Sequence, residues 1–215
     1  MTPRHTAPED IVAFWFPASD RTHAQEHQRL WNWRQRGGAH HAMVTQFAAL
    51  TERAAAGELD AWAQSATGRL ALIVILDPFA RLVWAGTSQA YANDTKARDL
   101  CLQGLANGHF DALPRAWCKS AFKMPLEHCE CTDPVEHLVN LDTAIAIAIA
   151  DQLTQQAPVE LRPWYELSAG QARRHRAVIA QFGRFPHRNA LLQRQNTPAE
   201  LAFIASGDLP LTKAP

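Results

Sequence analysis

The chain has 215 residues, a formal net charge of zero, a pI near 7.2, 47% hydrophobic and 20% charged residues. Such a composition excludes a disordered chain, and the neutral balance excludes a global pull towards nucleic acid or acidic membranes. The longest apolar run, "LALIVIL" (Leu70 to Leu76), falls far short of the roughly 18–20 residues that span a bilayer. The opening "MTPRHTAPED" has no apolar region of the kind a signal peptide needs, so a cytoplasmic protein with a single domain over residues 1–215 is expected.

Helical signals then follow one another along the chain. "APEDIVAFWF" places Pro8 where a first helical turn tolerates it, with acids beside it that suit the helix dipole. "GAHHAMVTQFAALTERAAAGEL" spaces Met43, Phe47, Leu50 and Ala54 at steps of three and four, and Gly57 is a natural stop. "GRLALIVILDPFARLVW" is apolar on every side, the mark of a buried helix. Ile73-Val74-Ile75 alone would also suit a strand, but the flanks lack strand–turn punctuation. Pro78 removes a donor and disfavours helical geometry at Asp77, which predicts a break or kink there.

"SQAYANDTKARDLCLQGLANG" reads as a further helix ending near Gly108. "TDPVEHLVNLDTAIAIAIADQLTQQ" opens with Asp133 as N-cap, Pro134 and Glu136 at the third helical position. "RPWYELSAGQARRHRAVIAQFG" predicts a helix up to Gly183, and "NTPAELAFIASG" repeats the start signal with Thr197, Pro198 and Glu200, and the stop with Gly207. No low-complexity linker or fixed-period repeat interrupts them. The expectation is an all-α bundle of antiparallel helix pairs.

Four cysteines in a chain of this length do not make a disulfide framework. Only Cys129 and Cys131 are close, and no second pair completes a zinc site, so reduced, partly buried thiols are expected. The seven tryptophans read most simply as fillers of core and helix joints.

Three stretches carry chemistry. From Leu167 to Ala199 there is no Asp or Glu, while Arg173, Arg174, Arg176, Arg184, Arg188 and Arg194 all occur. Within it lies "FGRFPHRN". If Pro186 starts a helix, His187 and Arg188 fall in its first turn, and dipole, unpaired N–H groups and arginine together favour an anion. That anion is a phosphate or carboxylate ligand, or a glutamate from elsewhere in the fold. The second stretch is "MPLEHCEC", where Glu127, His128 and Glu130 suit an acid–base unit or a weak metal-ligand pattern; equally, Glu127 and Glu130 would answer Arg184 and Arg188. The third is "LDPFAR", where Asp77 and Arg81 close a wholly apolar helix and so form an internal ion pair or a polar site at its mouth. His175 precedes the FGRFPHRN turn and reads as a core histidine or a neighbour of that region.

The residues assemble into a pocket in which Asp77, Arg81, His175, Arg184, Arg188 and Asn189 bind a small anionic ligand and His128, Glu130 and His187 act as acid, base or orienting group. No metal or cofactor is expected. The alternatives are a structural ion-pair network of the same side chains and a helical scaffold for a protein or peptide partner. Nucleic acid is not an expected partner, and the oligomeric state is not legible.

"FW" near the N-terminus, "LALIVILDPFAR", "YANDTKA", "MPLEHCE" and "FGRFPHRNALLQRQNTPAE" resemble the bacterial domain of unknown function 924 family, from Ile11 to Ile204. The resemblance implies a tetratricopeptide-like all-α superhelical fold and no particular activity. Asp77, Phe79, Arg81, Ala92, Asp94, Pro125, His128 and Glu130 match the family's pattern. Pro78, Ala80, Leu82 and Cys129 depart from it, standing where Gln, Pro, Asn and Ser are usual.

Overall fold

The structure is a computed structural model and describes residues 6–17, 24–35, 38–130 and 136–207. Among these residues there is no strand, and the chain is all-α. Helix α1 (Pro8–Trp15) starts as its sequence predicts, with Pro8 in the first turn and Asp10 accepting the Ala7 N–H at 2.9 Å. It buries Ile11 and Trp15. After α2 (Ala24–Gln35), the segment predicted as one helix runs in three pieces: α3 (Gly38–Ala42), a π-helical turn at Met43–Phe47, and α4 (Ala48–Ala55). Met43, Phe47, Leu50 and Ala54 are all buried, and Gly57 takes the positive φ of a helix stop.

Helix α5 (Ala66–Val74) is the centre of the main core. Every residue from Leu70 to Leu76 is fully buried, which is what an all-round apolar helix requires. Ser65 caps α5 by accepting the Gly68 N–H at 3.0 Å. The chain is so close there that a Cβ on Gly68 would stand 2.1 Å from the Trp62 carbonyl oxygen. Backbone, unlike a side-chain tip, cannot swing aside. A Gly68→Ala protein is therefore expected to lose at least about 1–3 kcal/mol by overpacking, measured as a fall in the urea midpoint.

The irregularity predicted at Pro78 takes the form of a second π-helical turn, Ile75–Phe79, leading into α6 (Ala80–Val83). The wider turn accommodates a ring that would collide with the carbonyl four residues earlier and an imide without an N–H. The helical path therefore continues through the proline. Helix α7 (Asp94–Ala106) ends before Gly108, whose φ is +81°, and α8 (Ala116–Phe122) and α9 (Met124–His128) pack against the α5 core.

The two long helices, α10 (Glu136–Gln156) and α11 (Arg162–Phe182), pack along each other and enclose Ile149, Leu153, Leu161 and Tyr165. Asp133 and Pro134 of the predicted α10 cap lie outside the described residues. Gly183 ends α11 in the left-handed conformation, and α12 (Pro198–Ser206) has the full predicted capping box between Thr197 and Glu200. Phe182, Phe185 and Phe203 join α11, the following turn and α12 in a small separate cluster. Cys101 keeps a free, buried thiol, as expected. Cys129 does not: it is disulfide-bonded, and Cys131 lies outside the described residues. No described helix is long and apolar enough to cross a membrane.

Candidate functional site

The π-helical turn delivers the first site residue. Asp77 is fully buried, and both its carboxylate oxygens meet His128 Nδ1, at 2.8 and 2.9 Å. Arg81, one helical turn later, reaches the Asp77 Oδ1 at 2.6 Å and donates to Asp94 Oδ2 at 2.9 Å. Arg188 donates to the same Asp94 oxygen at 2.9 Å and to the His128 carbonyl at 2.9 Å. Its guanidinium is clamped between Tyr91 and Phe185, 4.4 Å from each ring centroid. Four separate segments thus converge on one arrangement of two carboxylates and two guanidiniums.

Burial alone would raise Asp77, but the charges of Arg81, His128 and Arg188 outweigh it and hold the carboxyl at about 2. Asp94 is pushed up, chiefly by burial. Burial and then the Arg188 charge draw His187 down to about 4, and burial and the adjacent His128 hold His175 well below the usual histidine range. His187 and His175 are thus neutral at pH 7. With Nδ1 of His128 engaged by a carboxylate, its Nε2 is the nitrogen left for other work.

A cavity of about 400 Å³ opens beside this cluster. Arg81, His128, His175, His187 and Arg188 line part of it. Another part is aromatic: Trp15 and Trp117, with Arg34 lying 5.2 and 5.9 Å from their rings, and the Trp31–Trp164 pair, centroids 6.1 Å apart. Ser120 and Ser168 face it as a hydrogen-bonded pair, 3.1 Å between hydroxyls. Arg188 Nε and His187 Nδ1 are buried and make no hydrogen bond within the protein, which is uncommon for buried polar groups.

The predicted residues divide. Asp77, Arg81, His128, His175, His187 and Arg188 come together at or directly behind the cavity wall. Arg184, Asn189 and Glu130 stand apart from it. Arg184 grips Glu200 through both oxygens, at 2.6 and 2.9 Å, and so ties the turn to the α12 cap. Asn189 is buried and donates to Asn196 Oδ1 at 2.7 Å. Glu130 accepts from Arg194, at 2.7 and 3.0 Å, and from the Phe185 N–H at 2.6 Å. The Glu127–Glu130 bend and the Arg184–Asn189 turn do meet, but with other partners than those expected: Glu127 pairs with Lys123 and Arg188 with Asp94.

The predicted helix from Pro186 is also absent. Pro186–Arg188 forms a single 3₁₀ turn followed by further turns, too short to build a dipole, so any anion affinity here comes from side chains. Among the described residues no group of three or more His, Cys, Asp or Glu side chains is arranged to hold a metal ion. Asp94, Tyr91, Lys123 and the four cavity tryptophans were not singled out as site residues by the sequence. Asp94 carried a signal in its match to the family's pattern, and Lys123 a local one in its spacing of four from Glu127 within "KMPLE".

No curated protein matches the chain. It is similar to the solved structure of a protein of unknown function, ATU0120, from Agrobacterium tumefaciens. The two share 28% identity and a TM-score of 0.61, over 93% of this chain and 97% of that one. Residues 11–208 match the family described as bacterial protein of unknown function (DUF924), and the chain belongs to that family.

Proposed function

We propose that the protein binds a small amphipathic anion, with a carboxylate or phosphate head and an apolar or aromatic body. The observation that carries this is the composition of one cavity wall: Arg81 and Arg188 with His128 and His187 on it, and Trp15, Trp31, Trp117 and Trp164 on it too. About 400 Å³ is the size of a small-molecule site, apolar in the main with a few convergent polar groups. Arg188 uses two of its nitrogens on Asp94 and the His128 carbonyl and has Nε without a partner. A planar guanidinium suits a carboxylate or phosphate. His128, oriented by Asp77 behind it, presents an imidazole suited to acid–base work on whatever is bound.

The second reading, a helical scaffold for a protein or peptide in which the cluster only locks helices, draws on the mutual neutralisation of Asp77, Arg81, Asp94 and Arg188. In that reading Trp15, Trp31, Trp117 and Trp164 would line the groove that takes the partner.

The tryptophans themselves supply the measurement. Titration with 3-phenylpropionate is expected to change their emission, and the uncharged 3-phenylpropanol is expected to bind at least about tenfold more weakly, roughly 1.4 kcal/mol. Equal binding of the two, or no change with either, removes the anion pocket.

A further inference from the structure

Lys123 has no part in the cluster just described, yet it lines the same cavity while only 1% exposed. It sits at the junction of α8 and α9, where its Nζ touches the carboxylate of Glu127, one helical turn on and itself buried. The other oxygen of Glu127 is 3.8 Å from His175 Nδ1, and the His175 ring lies 5.2 Å from that of His128. A chain of ionisable groups therefore runs from Lys123 through Glu127 and the two histidines to Asp77 and the arginines. A buried Lys–Glu pair is a poor way to gain stability, because desolvation offsets most of the attraction and apolar residues of similar volume do as well or better. Burial pulls the Lys123 amine down from its ordinary value, while the Glu127 carboxylate favours the charged form. A desolvated lysine beside a proton acceptor, facing a cavity, is the arrangement in which an amine becomes a nucleophile.

We infer that Lys123 condenses with the carbonyl group of an oxo-acid held in this cavity, an inference that rests on the anion-pocket reading. Arg81 and Arg188 take the carboxylate and the tryptophans take the apolar body. Glu127 removes a proton from the Lys123 ammonium. The freed lone pair on Nζ bonds to the carbonyl carbon as the C=O π pair moves to oxygen, and a proton passes from nitrogen to that oxygen to give a carbinolamine. Glu127 then returns its proton to the hydroxyl, which leaves as water while the nitrogen lone pair forms the C=N bond. The product is a protonated imine and one water. The carboxylate ends as it began, and no oxidant or reductant is consumed.

The full chain is mixed with phenylpyruvate, which has the carboxylate, the carbonyl and an aromatic body, and is reduced with cyanoborohydride. Peptide mass spectrometry then locates the adduct, whose added mass is that of the probe less one oxygen atom. The sequence has only four lysines, Lys96, Lys119, Lys123 and Lys213, so the assignment is clean. One adduct per chain on Lys123, suppressed by excess 3-phenylpropionate and lost in Lys123→Arg, is the expected result. Because the adduct is located in the unaltered protein, a variant that fails to fold does not leave the question open. Phenylpyruvate that changes the tryptophan emission but leaves no adduct on Lys123, or an adduct spread over the other lysines, overturns the nucleophile and spares the pocket. No change in emission and no adduct overturns both.

Discussion

Replacing Asp94 by alanine is expected to cost about 3–5 kcal/mol of folding stability, read from urea denaturation at pH 7. Asp94 accepts from Arg81 and Arg188 on one oxygen, and Arg188 is 4% exposed. Without that carboxylate two guanidiniums share a buried space with Asp77 alone. The loss reflects charge left stranded more than attraction removed, and a second substitution tests this. Asp94→Asn combined with Arg188→Met removes one charge of each sign, and it is expected to be markedly more stable than Asp94→Ala. Arg184 is the contrast. Its pair with Glu200 joins an arginine side chain 30% exposed to a buried carboxylate, so solvent screens it in part and a smaller loss than for Asp94→Ala is expected. If Asp94→Ala and Arg184→Ala fall by the same amount, the buried arrangement does not hold the helices together as described.

The second large effect is acid sensitivity well above the carboxylate range. His187 is held near 4, against an ordinary 6.5, because burial and the Arg188 charge disfavour its protonated form. His175 is shifted the same way, by burial and by His128. In the window between these values the unfolded chain binds protons that the folded protein refuses, so stability rises with pH there. The contribution is complete above about 6.5 and is lost progressively as pH falls towards 4. For His187, partly exposed, it is on the order of 1–3 kcal/mol. Asp77 acts lower down: held at about 2, its contribution is complete above the ordinary Asp value and disappears only as pH drops through 2. The wild-type urea midpoint is therefore expected to fall between pH 7 and 5. His187→Gln, which cannot titrate, is expected to show a shallower slope. Identical slopes in the two proteins would falsify the assignment.

Much of the helical framework was legible because its punctuation is local. Pro8, Gly57, Gly183, the Thr197–Glu200 box and Gly207 act within a turn of themselves, and each sits where its chemistry predicts. The two π-helical turns were not legible as such. At Pro78 the sequence announces a disturbance without saying whether the helix stops or widens, and nothing in "MVTQF" announces one at all. The site divides on the same principle. Residue types in "LDPFAR", "MPLEHCEC" and "FGRFPHRN" were visible, but pairings are long-range. Asp94 and Arg188 are 94 positions apart, and Glu130 and Arg194 are 64 apart. Glu200 hid a second role behind its capping box, which is why Arg184 was assigned to a ligand. The cavity tryptophans were read as fillers because aromatic content reports burial and is silent on whether the buried space is filled.

The rings of Tyr91 and Phe185 on either face of Arg188 have a further effect on recognition. A free arginine loses about 2 kcal/mol of rotamer freedom when it is fixed on a partner. Here folding has already removed that freedom, so an acceptor in the proposed anion pocket would meet a donor plane whose tilt is set in advance. Rigid receptors of this kind select by shape: a planar or forked acceptor that matches the tilt keeps its full interaction, whereas a spherical ion of equal charge gains little. Lysine at position 188 would carry the same charge and keep none of this discrimination.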